Sequence, residues 1–220
     1  QLSLFVSDLT RILVEDALSE MFLPADNIVR RLLSRMEHIM QAHDISATTM
    51  AALLAPWNIR PAVFREPDRL TDYLTGEILA ALADWFYLSP EWLNGRVHYP
   101  LYRPGDWPAT QEIFCRIISA RENMDIILWH GFPFAGTHSG EYCGVLLRQK
   151  KEINNTIIYP VLSLYPARMD IEKEGWFQMA RKISPDIPVR AVTLTPAQAE
   201  YLITGKILPT ALFRVPLSPW

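Results

Sequence analysis

Ala80-Ala81-Leu82-Ala83-Asp84-Trp85-Phe86-Tyr87-Leu88-Ser89-Pro90-Glu91-Trp92-Leu93-Asn94-Gly95 carries the strongest local signals in the chain. The first part is the end of an amphipathic helix, the middle a sharp break, and the last part a second, short helix. Ser89 is suited to cap that second helix, and Pro90 to its first turn, where the N–H that proline lacks would be unsatisfied anyway. Gly95 falls where a left-handed C-terminal cap is easiest. Two helices so joined close a small helical domain.

Working upstream, Thr75 opens the helix Gly76 to Tyr87. Before it, Asn27 to His43 has Ile28, Leu32, Met36, Ile39 and Met40 on one side, at helical spacing. Asp44-Ile45-Ser46 interrupts that pattern, and Ser46 caps a short helix, Ala47 to Ala55, with Met50, Ala51 and Leu54 inward and Pro56 as its stop. Arg60 to Glu66 reads as a third helix, with Pro61 near its start and Pro67 closing it. Residues 2–22 repeat Leu2, Phe5, Leu9, Ile12, Leu13, Ala17 and Leu18 at similar spacing, and Pro24 ends them. That extra helix must bury its stripe on a partner subunit or on its own domain. The expected helical domain is 1–95.

Downstream, Pro100, Pro104, Gly105 and Pro108 mark residues 96–108 as a linker. Beyond it the period changes. Ala109 to Arg121 reads as helix, whereas Asp125 to Trp129, Glu141 to Leu147 and Thr156 to Leu164 are rich in Ile, Val, Leu and Tyr and read as strands. Helix Glu174 to Ile183 and strand Pro188 to Leu194 follow. Thr195, Pro196 and Gly205 then delimit a further helix, and Leu212 to Val215 adds a last strand. The fold class is therefore α+β: an all-helical N-terminal domain followed by a mixed α/β domain over 109–220.

Composition narrows the setting. Half of the 220 residues are hydrophobic, enough for real cores. The longest apolar runs fall short of the ~18 residues that a membrane span needs. There is no secretory signal pattern, and Cys115 and Cys143 form no disulfide framework, so a cytoplasmic protein with reduced thiols is expected. Charge is uneven. Residues 1–96 hold 8 Arg and no Lys against 13 Asp and Glu, a net of −5, and all 5 Lys lie at or after Lys150.

Residues 27–95 resemble the helix-turn-helix domains of the Cro and phage-repressor family. Ile45-Ser46 corresponds to the start of the family's second helix, Met50, Ala51 and Leu54 to its packing positions, and Val63 to the buried position of its recognition helix. Leu79, Leu82, Ala83, Phe86, Leu88 and Leu93 match the closing helices. Departures from the helix-turn-helix pattern are Ala55-Pro56 where the turn usually carries Gly, about two extra residues between Leu54 and Val63, and no Gln at the start of the second helix. The resemblance implies double-stranded DNA as partner, bound by a homodimer. It puts Arg60 and Arg65 at the groove and Thr48 and Arg69 at phosphates, while Glu66 and Asp68 repel phosphate. Arg30, Arg31 and Arg35 on the first helix are either phosphate contacts or a solvated face. The acidic balance suits a different use of the same fold, a protein-interaction or oligomerisation module.

The second half concentrates its special residues between Trp129 and Gly144. His130, His138, Glu141 and Cys143 are metal-ligand types, but their spacing matches no zinc template. Ser139 lies in no nucleophile elbow, and no glycine-rich loop sits between a strand and a helix to hold phosphate. No metal, cofactor or catalytic residue is assigned. Trp129, His130, Phe132, Phe134, His138 and Tyr142 instead read as the lining of a ligand pocket for a small-molecule effector, or else as an aromatic core. An enzyme here would require two of the polar side chains to converge within hydrogen-bond reach.

Overall fold

Capping chemistry settles the N-terminal half. The computed structural model describes residues 28–98, 100, 107–119, 124–134, 140–164, 166–183, 189–214 and 218–219; the helix expected over 2–22 lies outside them. Helix α1 (Ile28–His43) ends in a Schellman turn. Asp44 takes a left-handed φ of 55°, and the N–H groups of Asp44 and Ile45 reach Gln41 O and Met40 O at 3.3 and 2.8 Å. Ser46 Oγ then accepts from Thr49 N at 3.1 Å and starts α2 (Ala47–Leu53).

The next segment differs from expectation. Ala55–Trp57 is a single 3-10 turn, and Pro61–Arg65 is a 3-10 helix rather than an α-helix. Pro67 does not close this piece; it opens α3 (Pro67–Tyr73). Both prolines occupy first-turn positions, where no N–H is required. Val63 of the 3-10 helix and Leu70 of α3 are buried anchors among the described residues.

Helix α4 (Gly76–Phe86), capped by Thr75, turns at Tyr87 with φ 55°. Helix α5 (Pro90–Leu93), capped by Ser89, ends at Gly95 with φ 83°. There Gly95 N reaches Trp92 O at 2.9 Å and Arg96 N reaches Glu91 O at 2.7 Å, as the left-handed cap requires. Met36, Ile39, Met50, Leu53, Leu54, Ile78, Leu82 and Phe86 form the buried centre of this lobe.

The second half is a mixed sheet between helices, and the class is α+β. Helix α6 (Gln111–Ser119) precedes β1 (Met124–Gly131) and β2 (Tyr142–Gln149), which pair antiparallel. Thr156 to Leu164 is not one strand. It splits at Pro160 into β4 (Thr156–Ile158), which pairs with β3 (Lys151–Ile153), and β5 (Val161–Ser163), which pairs with β2. After β6 (Ala167–Arg168) and α7 (Ile171–Ile183), β7 (Val189–Leu194) lies parallel to β1. Helix α8 (Pro196–Thr204) carries the expected Thr195 cap, with a reciprocal Gln198 contact, and Gly205 past its end. Pro209–Arg214 is a 3-10 helix where a last strand was expected; the edge strand is β8 (Ser218–Pro219).

Alternation along the strands divides the sheet's side chains. Ile126, Leu128, Cys143, Val145 and Leu147 pack with Phe114, Ile118, Trp176 and Phe177 of α6 and α7. Ile127, Trp129, Leu146, Val192 and Leu194 pack on the other face with Ala199 and Leu202 of α8.

The two lobes share a core. Ile158 of β4 and Leu208 belong to the helical lobe's cluster. Asn154 and Asn155, with φ 48° and 59°, form the two-residue turn between β3 and β4. From that turn Asn154 Nδ2 donates to Leu53 O, at the end of α2, at 2.7 Å. Lys151 Nζ donates to Asp84 O in the last turn of α4 at 3.0 Å and lies 4.0 Å from the Tyr87 ring centre. Both side chains satisfy carbonyls that a helix end leaves open.

Candidate functional site

Two regions carry the residues singled out by sequence. On the helical lobe, Thr48 is exposed on α2, and Arg60 is exposed at the start of the 3-10 helix that packs on α2. Arg60 meets no carboxylate among the described residues. Arg69 is exposed on α3, and its Nη1 donates to Glu66 Oε2 at 3.1 Å, a contact that raises its already high pKa. The side chain of Arg65 lies outside the described residues. Arg35 is neither solvated nor available to phosphate: it is buried, with its guanidinium 5.4 Å from the Trp92 ring centre.

In the sheet lobe the described residues expected to line one pocket do not all share a face. Trp129 is fully buried on the α8 face, and Tyr142 packs against that same cluster. His130 points to the opposite face by the two-residue alternation of β1. Phe132 and Phe134, 57% and 53% exposed, follow it. His138 and Ser139 lie outside the described residues. Among the described residues no three His, Cys, Asp or Glu side chains group as metal ligands. Cys115 and Cys143 are unpaired thiols. Burial pushes the Cys143 thiol up to about 12, with Lys173 acting in the opposite sense, so it is not a nucleophile at neutral pH.

What does converge is His130, Glu141 and a residue that sequence reasoning passed over, Thr193. His130 stands on β1 between its register partners Cys143 on β2 and Thr193 on β7. Its Nδ1 hydrogen-bonds to Glu141 Oε1, and its Nε2 lies 2.8 Å from Thr193 Oγ1. A carboxylate only accepts, so in the neutral ring Nδ1 carries the hydrogen and Nε2 offers its lone pair to the Thr193 hydroxyl. Glu141 sits one residue before β2, and its carbonyl accepts from Met169 N at 2.9 Å, which fixes the backbone there. The His130 and Glu141 side chains are 14% and 29% exposed, whereas Thr193 is open. Thr193 gave no signal in the sequence beyond a place in a strand, since its pairing with His130 spans 63 residues.

A third feature joins the lobes. A cleft of about 360 Å³ is lined by His43, Asp44 and Thr49 around the α1–α2 turn and by Arg148, Tyr159 and Phe213 of the sheet lobe. Arg148 is held there by Asp125 and lies 4.7 Å from the Phe213 ring centre. Among the described residues no helix is long and apolar enough to cross a membrane. Comparison of the chain with protein-family models, curated proteins and solved structures gives no match.

Proposed function

We propose that the chain is a DNA-binding transcriptional regulator that acts in the cytoplasm as a homodimer, with the sheet lobe sensing a small-molecule or protein effector. Arg60 carries this reading. It is exposed, free of carboxylate partners among the described residues, and mounted on a turn packed against α2. A free guanidinium there can take a guanine edge or a phosphate. Thr48 adds a hydroxyl for phosphate on α2, Arg65 is the second groove residue, and Arg69 must exchange Glu66 for phosphate to take part. A homodimer presents two such edges to half-sites about 34 Å apart. The interlobe cleft suits a small effector in size, and an occupant touching both the α1–α2 turn and the sheet lobe would bias how α2 is held.

Selection from a random double-stranded DNA library by the full chain at two salt concentrations tests this. The expected result is an enriched sequence whose affinity falls steeply with salt. Arg60→Ala weakens binding and, if Arg60 contacts phosphate, lowers the salt slope by about 1. No enrichment even at about 50 mM salt, where phosphate contacts are strong, overturns the reading.

The Arg69–Glu66 pair and the five-residue 3-10 helix favour a second reading. One and a half turns fill a major groove poorly, and a paired arginine offers it less charge. The helical lobe would then be a protein-interaction or oligomerisation module. Failed DNA selection together with concentration-dependent self-association in light scattering supports that alternative.

A further inference from the structure

We infer that Thr193, His130 and Glu141 form a nucleophile–base–carboxylate relay that takes an acyl group from an apolar ester onto the Thr193 hydroxyl. The inference stands apart from DNA binding, and neither needs the other. Its basis is the order of contacts: Glu141 holds Nδ1 of His130, and Nε2 of the same ring faces Thr193 Oγ1 at 2.8 Å. This is the spatial signature of an activated hydroxyl, with a base in reach of the nucleophile and a third group orienting the base. Strand register enforces it, because His130 and Thr193 are direct partners across β1 and β7.

The surroundings fit the chemistry. Thr193 is open to solvent, so an ester carbonyl can reach its oxygen. Phe132 and Phe134, two and four residues beyond His130, present exposed rings for an apolar acyl chain.

In the reaction, Thr193 Oγ1 adds to the ester carbonyl carbon while its proton passes to His130 Nε2, and Glu141 stabilises the resulting imidazolium. The tetrahedral adduct collapses with cleavage of the bond to the alcohol oxygen, which receives the proton from His130. The products of this half are an acyl ester on Thr193 and a free alcohol. Water then adds to the acyl carbonyl as His130 takes its proton. The bond to Thr193 Oγ1 breaks, that oxygen regains the proton, and a carboxylic acid leaves.

The test uses the full chain and p-nitrophenyl butyrate. Wild type should release a burst of nitrophenolate and gain one butyryl group by intact mass, mapped by peptide sequencing to Thr193. Thr193→Val keeps the β-branched shape that suits the strand and should abolish the burst. His130→Gln should slow acylation at least ~100-fold, the scale of a lost general base. Glu141→Gln should slow it while leaving the label on Thr193, and it replaces His130→Gln in the comparison should that variant not fold. The inference is overturned by a wild type that gains no butyryl group, by a label on another residue, or by a burst that Thr193→Val leaves intact.

Discussion

At Gly144 a hydrogen atom in place of a methyl group lets β1 and β2 close over a tryptophan. Trp129 is the residue directly opposite, and a Cβ at Gly144 would fall 2.5 Å from its Cε2. The indole is fully buried. Gly144→Ala should therefore destabilise the chain by about 2–3 kcal/mol, the scale of an overpacked core, read as a lower urea midpoint. Adding Trp129→Phe should recover part of the loss, whereas an unchanged midpoint in Gly144→Ala would mean that the indole can move. The same pair explains a misreading at this scale. Trp129, His130 and Tyr142 look like one aromatic pocket when taken as a list of neighbours. On a strand, however, Trp129 and His130 must face opposite ways. Thr193, the group that does meet His130, becomes visible only once β7 is known to lie beside β1.

Elements were legible where their signals are local. Ser46, Thr75, Ser89 and Thr195 each accept a hydrogen bond at the helix start that their sequence context indicates, and Gly95 and Gly205 take the left-handed conformation past a helix end. A cap needs only three or four neighbouring residues, so the sequence contains the whole interaction. The segment between Pro61 and Tyr73 was not legible in this way. Pro61 and Pro67 each suit a first turn, and only burial of Val63 and Leu70 in a core built from distant residues selects one short 3-10 helix and one α-helix. The β3–β4 hairpin was hidden for a related reason. Its side chains act on helix ends about 70 to 100 residues earlier in the chain. Asn154 there holds a left-handed turn position and also caps α2 through Leu53 O. Asn154→Gly keeps the first role and loses the second, so it should cost about 1 kcal/mol, the net worth of one hydrogen bond. Asn154→Ala loses both and should cost about 2 kcal/mol, since an L-residue without a polar side chain is strained at positive φ. Thermal unfolding of the two variants checks the ordering, and a more stable Asn154→Ala would show that the turn is not under conformational demand.

At the scale of the whole molecule, a linker of prolines suggests two domains that fold separately, yet the described contacts tie the lobes through buried apolar groups. Ile158 is 3% exposed and Leu208 2% exposed, and both come from the sheet half while packing with Met36, Leu54 and Phe86 of the helical half. Tyr87 adds a hydrogen bond from its hydroxyl to Gln149 at 2.6 Å. Such an interface resists independent opening, because separating the lobes would expose apolar surface on both sides and leave helix-end carbonyls without their partners. The chain should accordingly unfold in one cooperative transition. Ile158→Ala removes a side chain that belongs to β4 by sequence and to the helical core by contact. It should cost about 2–5 kcal/mol, the range for a buried Ile cut to Ala. The informative readout is which signals move together. Far-ultraviolet ellipticity, dominated by helices of both lobes, and tryptophan fluorescence, with Trp85 and Trp92 in one lobe and Trp129 and Trp176 in the other, should shift to the same lower midpoint. Two separated midpoints, with only one displaced by Ile158→Ala, would mean that the lobes are thermodynamically independent and that an effector in the cleft between them has no rigid path to α2. A single displaced midpoint would give the cleft the mechanical connection that the proposed regulation of DNA binding requires.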